Sequence, residues 1–166
     1  MSAPRLVDET WRLEDLYPSD DSFWSEKRRV DGTLPGLGRF AGQLGASALA
    51  MTEALEAISA ESKALARLHA YASMKSDDDL RVAPHQGMRQ EVEIAHTEIS
   101  RRIAFLRPEI LALKDGVVAA FLVEEPRLAP FAPFLKNLLR QKEHVLSPAE
   151  ENLLAEAGLV LGGPSQ

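Results

Sequence analysis

The feature that most constrains this chain is a pair of apolar stripes at helical spacing, separated by a short polar link. Along the first, Met51, Leu55, Ile58, Leu65, Leu68 and Ala72 recur on one face. Along the second, Met88, Val92, Ala95, Ile99, Ile103 and Leu106 step by 4, 3, 4, 4 and 3. Ser76-Asp77-Asp78-Asp79 lies between them, so two long helices folded back antiparallel are expected between Ser47 and Leu106. Abundant Ala and Leu with only 6% aromatics favour helix over sheet. The expected fold class is all-α: a long antiparallel helical hairpin with additional shorter helices, forming a helical bundle.

The flanks carry their own signals. Trp11, Leu13, Leu16 and Tyr17 mark residues 1–19 as a segment that docks onto the body, and Tyr17-Pro18 interrupts any helix there. Ser19 to Ser22 supply N-caps for a helix starting near Phe23. Gly32, Pro35, Gly36 and Gly38 predict a kink or break, with resumption toward Phe40 and Leu44 and a stop at Gly45. The first hairpin helix starts at Ser47, and Ser59, Glu61 and Ser62 leave a polar gap that admits a bend. The second starts in the Asp77–Asp79 region, holds Pro84 in its first turn and ends at Arg107-Pro108. Beyond lie a turn over Glu109–Leu113, a short apolar helix over Gly116–Val123, and a helix led by Pro133 and running to Lys142. Ser147-Pro148-Ala149-Glu150 is a capping box for a last helix bearing Leu153 and Leu154 and ended by Gly158. Leu159-Val160-Leu161 follows with no further element to cover it, the pattern of a chain that stops inside a larger architecture. The expected organisation is a docking segment (1–19), a hairpin lobe with its preceding kinked helix (20–107) and a short-helix segment (108–166). There is no internal repeat and no low-complexity tract.

Composition narrows the function. A net charge of −6 disfavours nucleic-acid binding, which needs clustered Lys and Arg. The absence of cysteine excludes disulfides, thiolate metal sites and cysteine nucleophiles. The first ten residues lack the apolar core of a secretion signal, and Val117 to Val123 is too short to span a bilayer, so the cytoplasm is the expected location.

Each chemical candidate meets a plainer reading. Glu93 and His96 form Glu-x-x-His, half of a carboxylate-bridged di-iron motif, but no second copy exists. His69 and His96 lie beside the two apolar faces and can face each other across the hairpin. Two histidines without carboxylates or thiols make a poor metal site. His85, in a first turn, is expected to be solvated. Asp77-Asp78-Asp79 lacks the alternating ligands of a calcium loop and reads as solvated capping at a helix N-terminus. Lys27-Arg28-Arg29 and Arg101-Arg102 read as surface charge. Phosphate loop, nucleophile elbow and His-Glu-x-x-His are all missing. No catalytic, cofactor-binding or metal residue is assigned.

Two stretches resemble the N-terminal region of oligoendopeptidase F, a zinc metallopeptidase related to thimet-type oligopeptidases. Trp11-Arg12-Leu13-Glu14-Asp15-Leu16-Tyr17 is similar to its Trp-x-Leu-x-x-Leu-Tyr opening, and Arg140 to Ala155 is similar to its Arg/Lys-x-His-x-Leu-Ser-x-x-Glu-Glu-x-Leu-Leu stretch. Leu68-His69-Ala70-Tyr71-Ala72, Phe105 to Ile110 and Glu124 to Leu128 recur between them in the same order. The resemblance implies the helical N-terminal lobe of an enzyme that hydrolyses short peptides. Its zinc and His-Glu-x-x-His helix would lie in a catalytic domain absent from this chain, which alone would be inactive and carry no cofactor. The implied partners are that missing peptidase domain and, for the full-length enzyme, short peptides, with no nucleic acid and no membrane. The rival reading is a stand-alone helical protein-interaction module without catalytic activity, and a di-iron oxidase is a third class.

Overall fold

The computed structural model describes residues 12–78 and 83–142, and there the chain is helical throughout, with no strand among the described residues. After a 3-10 turn over Leu13–Asp15 come α1 (Asp20–Thr33), a 3-10 helix (Leu34–Phe40), α2 (Ala48–Asp78) and α3 (Ala83–Arg102). They are followed by α4 (Leu106–Ala112), α5 (Val117–Glu124), a 3-10 helix (Pro126–Phe131) and α6 (Ala132–Lys142). The α2–α3 pair is the spine, and α1 and the Leu34–Phe40 helix pack across both of its members. On its other side α5 and the Pro126–Phe131 helix reach α2, and α4 and α6 pack together beyond them.

The two stripes meet as expected. Met51, Leu55, Ile58, Leu65, Leu68 and Ala72 are buried against Met88, Val92, Ala95 and Ile99, in one core with Phe23, Val30, Leu44, Ile110, Leu128 and Leu135. Ser19 caps α1, its Oγ accepting from Ser22 N at 3.3 Å, and Ser47 caps α2, accepting from Ala50 N at 3.1 Å. The glycine-proline stretch breaks α1 as predicted, but the chain resumes as a 3-10 helix. Gly45 is no stop: a Cβ there would lie 2.7 Å from Leu113 Cδ2, so its small size lets the chain pass α4 closely.

Several boundaries differ from the sequence expectation. α2 continues unbroken through its polar gap, with no fresh start near Ser59. Glu61 is buried, and Arg29 of α1 reaches it with two hydrogen bonds of 3.0 and 3.1 Å, so the gap is filled by an ion pair. Lys27 is likewise not surface charge: it is 4% exposed, with Nζ 2.7 Å from Asp31 and 3.5 Å from Glu91 of α3. Asp77 and Asp78 do not open α3; they sit in the last turn of α2, and α3 starts at Ala83. Ser76, 2% exposed, is held in the core by the continuing helix, so packing outweighs the unfavourable dipole. At the other end α3 stops at Arg102, not Arg107-Pro108. Pro108 would clash with the carbonyl of residue 104 in a continuous helix, and it is accommodated in the first turn of α4 instead.

The end of the hairpin where α2 leads toward α3 is tied to α1. Asp20, first residue of α1, accepts a 2.7 Å hydrogen bond from the Tyr71 hydroxyl and a second bond from Lys75 Nζ, both on α2. His85 of α3 is not solvated as expected: the ring is half-buried, and its Nδ1 is covered with no partner. Burial alone would raise the Asp20 pKa, but the bonds from Lys75 and Tyr71 outweigh it and hold it below 3.8. Trp11, Asp79, the capping box at 147–150 and Leu159-Val160-Leu161 lie outside the described residues.

Three expectations follow from this packing. Leu65→Ala and Ile99→Ala, at positions 0% and 5% exposed, each cost about 2–5 kcal/mol in urea melts; losses within about 0.5 kcal/mol would mean the stripes do not face each other. Lys27→Met, which removes a buried charge at similar volume, changes stability by less than about 1 kcal/mol. Asp31→Ala, which leaves the ammonium with only a 3.5 Å partner, costs about 1–3 kcal/mol. Because Asp20 takes up a proton more readily in the unfolded chain, its stabilisation is complete above about pH 4 and is lost as pH falls through its lowered folded value. The stability gap between the parent and Asp20→Asn therefore narrows on acidification below about pH 4, and a gap independent of pH would refute the assignment.

Candidate functional site

Polar chemistry concentrates where the Leu13–Asp15 turn crosses the α1–α2 seam. Tyr17 is fixed there by two aromatic contacts, edge-on to Phe23 at 6.0 Å and to Tyr71 at 5.5 Å, and those two rings stack on each other at 5.4 Å. The Tyr17-Pro18 interruption places Tyr17 just before the Ser19 cap, so the ring points inward at the start of α1. It divides two hollows. One, of about 480 Å³, is lined by Glu14, Asp20, Asp21, Tyr71 and Lys75. The other, of about 580 Å³, is lined by Asp21, Ser22, Ser25, Glu26, Arg29 and Arg67.

In the second hollow Arg67 lies 5.3 Å over the Tyr17 ring and donates to Leu16 O at 3.1 Å. Arg29 bridges Glu26 and Glu61, and its hydrogen bond holds the Glu26 carboxyl below the usual range. Tyr17 is 7% exposed, and its hydroxyl has no protein partner. Burial pushes its phenol pKa up, against the pull of Arg67; burial and the Asp20 carboxylate push Tyr71 up as well. Both phenols are therefore protonated near neutrality, and Tyr71 donates its proton in the bond to Asp20. Among the described residues, the seam pairs no nucleophile with a general base.

The histidines of the hairpin do come together. His69 of α2 and His96 of α3 stand edge-to-face with ring centroids 5.7 Å apart, and His69 Nε2 lies 3.4 Å from Glu93 Oε1. The carboxylate that sequence reasoning found missing from this pair is thus present, supplied by the Glu93-x-x-His96 spacing. The set still does not fit a zinc or di-iron centre. Glu93 turns toward His69 across the hairpin instead of sharing a metal position with His96, and no group of three or more His, Asp or Glu among the described residues could hold a metal ion. Arg101 and Arg102 both pair with Glu98 on α3, as surface charge does. Sequence reasoning missed the Tyr17 seam, because it joins residues about fifty positions apart; the early aromatics were its only local signal.

No described helix is long and apolar enough to cross a membrane. The family model described as Oligopeptidase F matches residues 109–166. The chain is 35% identical over 159 residues to Oligopeptidase PepF of Bacillus subtilis, a match covering 96% of this chain and 24% of that protein. Against Group B oligopeptidase PepB of Streptococcus agalactiae it is 30% identical over 156 residues, covering 94% of this chain and 26% of the other. The solved structure of oligoendopeptidase-F from Enterococcus faecium superposes with a TM-score of 0.70 at 25% identity, over 86% of this chain and 28% of that one. The chain thus spans about a quarter of the length of the curated relatives it matches. In sequence and in fold, it matches the N-terminal region of oligoendopeptidase F.

Proposed function

We propose that this chain forms the N-terminal helical lobe of an oligoendopeptidase F-type peptidase that hydrolyses short peptides, and that it works as a rigid wall rather than as the reacting centre. The observation that carries this reading is the 159-residue match to Oligopeptidase PepF, spanning nearly all of this chain and a minor share of that protein. The structure supports the division of labour. The described residues offer binding groups without a nucleophile–base pair, and their histidine–carboxylate set does not fit zinc. In this reading a zinc site would belong to the larger, catalytic part, where the metal would supply Lewis-acid chemistry for hydrolysis. The residues of this chain do something different. The filled core of the hairpin keeps the wall stiff, Asp20, Tyr71 and Lys75 lock the end where α2 leads toward α3, and residues 108–166 lead toward the catalytic part. A cytoplasmic setting fits the same reading.

The test is a hybrid in which this chain replaces the collinear part of Bacillus subtilis Oligopeptidase PepF, assayed with a quenched fluorescent peptide beside the isolated chain. The hybrid is expected to cleave the peptide and to lose activity to a chelator; the isolated chain is expected to neither bind zinc stoichiometrically nor cleave. A folded but inactive hybrid, or metal-dependent cleavage by the isolated chain that survives purification, would overturn the reading.

A further inference from the structure

α5 is built like a buried helix and placed like an exposed one. Its sequence, Val117-Val118-Ala119-Ala120-Phe121-Leu122-Val123-Glu124, is apolar at every position but the last, yet Val118 is its one buried residue. Val123 is 86% exposed. A helix apolar on all sides belongs in an interior, and α5 is covered on its inner side by the Pro126–Phe131 helix and α2. Beside it runs a groove of about 420 Å³ whose apolar lining includes Leu113, Val118, Ala119 and Leu139. Lys142 holds this groove open: its Nζ donates to Leu113 O at 3.1 Å and to Asp115 at 2.8 Å, pinning the end of α6 to the α4–α5 connection. The family-model match starts at Glu109 and so takes in α5 and the whole groove, while leaving out the hairpin.

We propose that the outer face of α5, with the adjoining groove, is the docking surface for the larger remaining part of an oligoendopeptidase F-type chain. This rests on the function proposed above and names the place of contact. Three-quarters of the length of Oligopeptidase PepF has no counterpart in the 166 residues, so a large covalent neighbour is available to cover an apolar face. A second copy of this chain is the poorer occupant. A helix of eight residues is only about 12 Å long, and a stable dimer buries roughly 1,200 Å² or more. Contact within one polypeptide needs no such area, because the linkage already holds the partners at high effective concentration.

The chain has no cysteine, so one introduced thiol reports on one place. Val123→Cys and, as reference, Ile94→Cys on the outer face of α3, itself 54% exposed, are made in the isolated chain and in a hybrid with cysteine-free Bacillus subtilis Oligopeptidase PepF. Passing from isolated chain to hybrid, modification at position 123 is expected to slow on the order of tenfold or more, and at position 94 by no such factor. An active hybrid in which position 123 reacts as fast as in the isolated chain overturns the docking surface and leaves the functional reading standing. A hybrid that neither folds nor cleaves peptides overturns the functional reading, and the docking surface with it. Protection of position 123 in the isolated chain that disappears on dilution would give the face to a second copy and overturn the proposed occupant.

Discussion

The fold depends on Arg29 reaching across to Glu61. α2 is the longest element, and its apolar stripe is interrupted in the middle by Ser59, Glu61 and Ser62. A buried carboxylate without a partner would cost several kcal/mol, enough to favour a bend that exposes it. The guanidinium of α1 meets both carboxylate oxygens and allows α2 to continue unbroken through the gap. Because a buried pair contributes little net stability beyond what apolar replacements would give, its main effect is on geometry. It sets the register of α1 on the hairpin, and Lys27, two residues earlier and reaching Glu91 of α3, sets the same register from the other helix.

The same device recurs at the periphery. At the end of the hairpin where α2 leads toward α3, Asp20 gathers Tyr71 and Lys75. On the opposite flank, Glu109 of α4 accepts from the Gly42 and Leu44 amides at 2.8 and 2.7 Å, holding the turn before α2, in which Gly42 takes a left-handed φ of 77°. Each of these contacts joins segments far apart in the chain, while the apolar core supplies the cohesion. Among the described residues, α5 leaves a conspicuous apolar surface uncovered.

The candidate site was less legible than the fold. The facing of His69 and His96 could be read from their places beside two stripes in antiparallel register, because helical periodicity maps sequence spacing onto a face. The Glu93 contact could not, since it depends on which way a side chain turns. The Tyr17 seam escaped for a related reason: Tyr17 lies about fifty residues from Arg67 and Tyr71, which share α2, and only the crossing of a short 3-10 turn over α2 brings them together. The family resemblance was legible where motifs are local, in the Leu13–Tyr17 opening and the Arg140 to Ala155 stretch, and the comparisons agree with it.

From residues alone came the class of fold, the two stripes, the Ser19 and Ser47 caps, the break after α1, the apolar helix after Gly116 and the likeness to an oligopeptidase lobe. These are set by interactions within a few residues of one another: periodic apolar burial, capping hydrogen bonds and the backbone limits of Gly and Pro. Tertiary structure alone decided that α2 continues unbroken through its polar gap, that Lys27 is buried, and that Asp77 and Asp78 end one helix rather than start the next. In each case a local preference of about 1 kcal/mol met a partner or a packing demand from another part of the chain that was worth more, and the distant interaction prevailed.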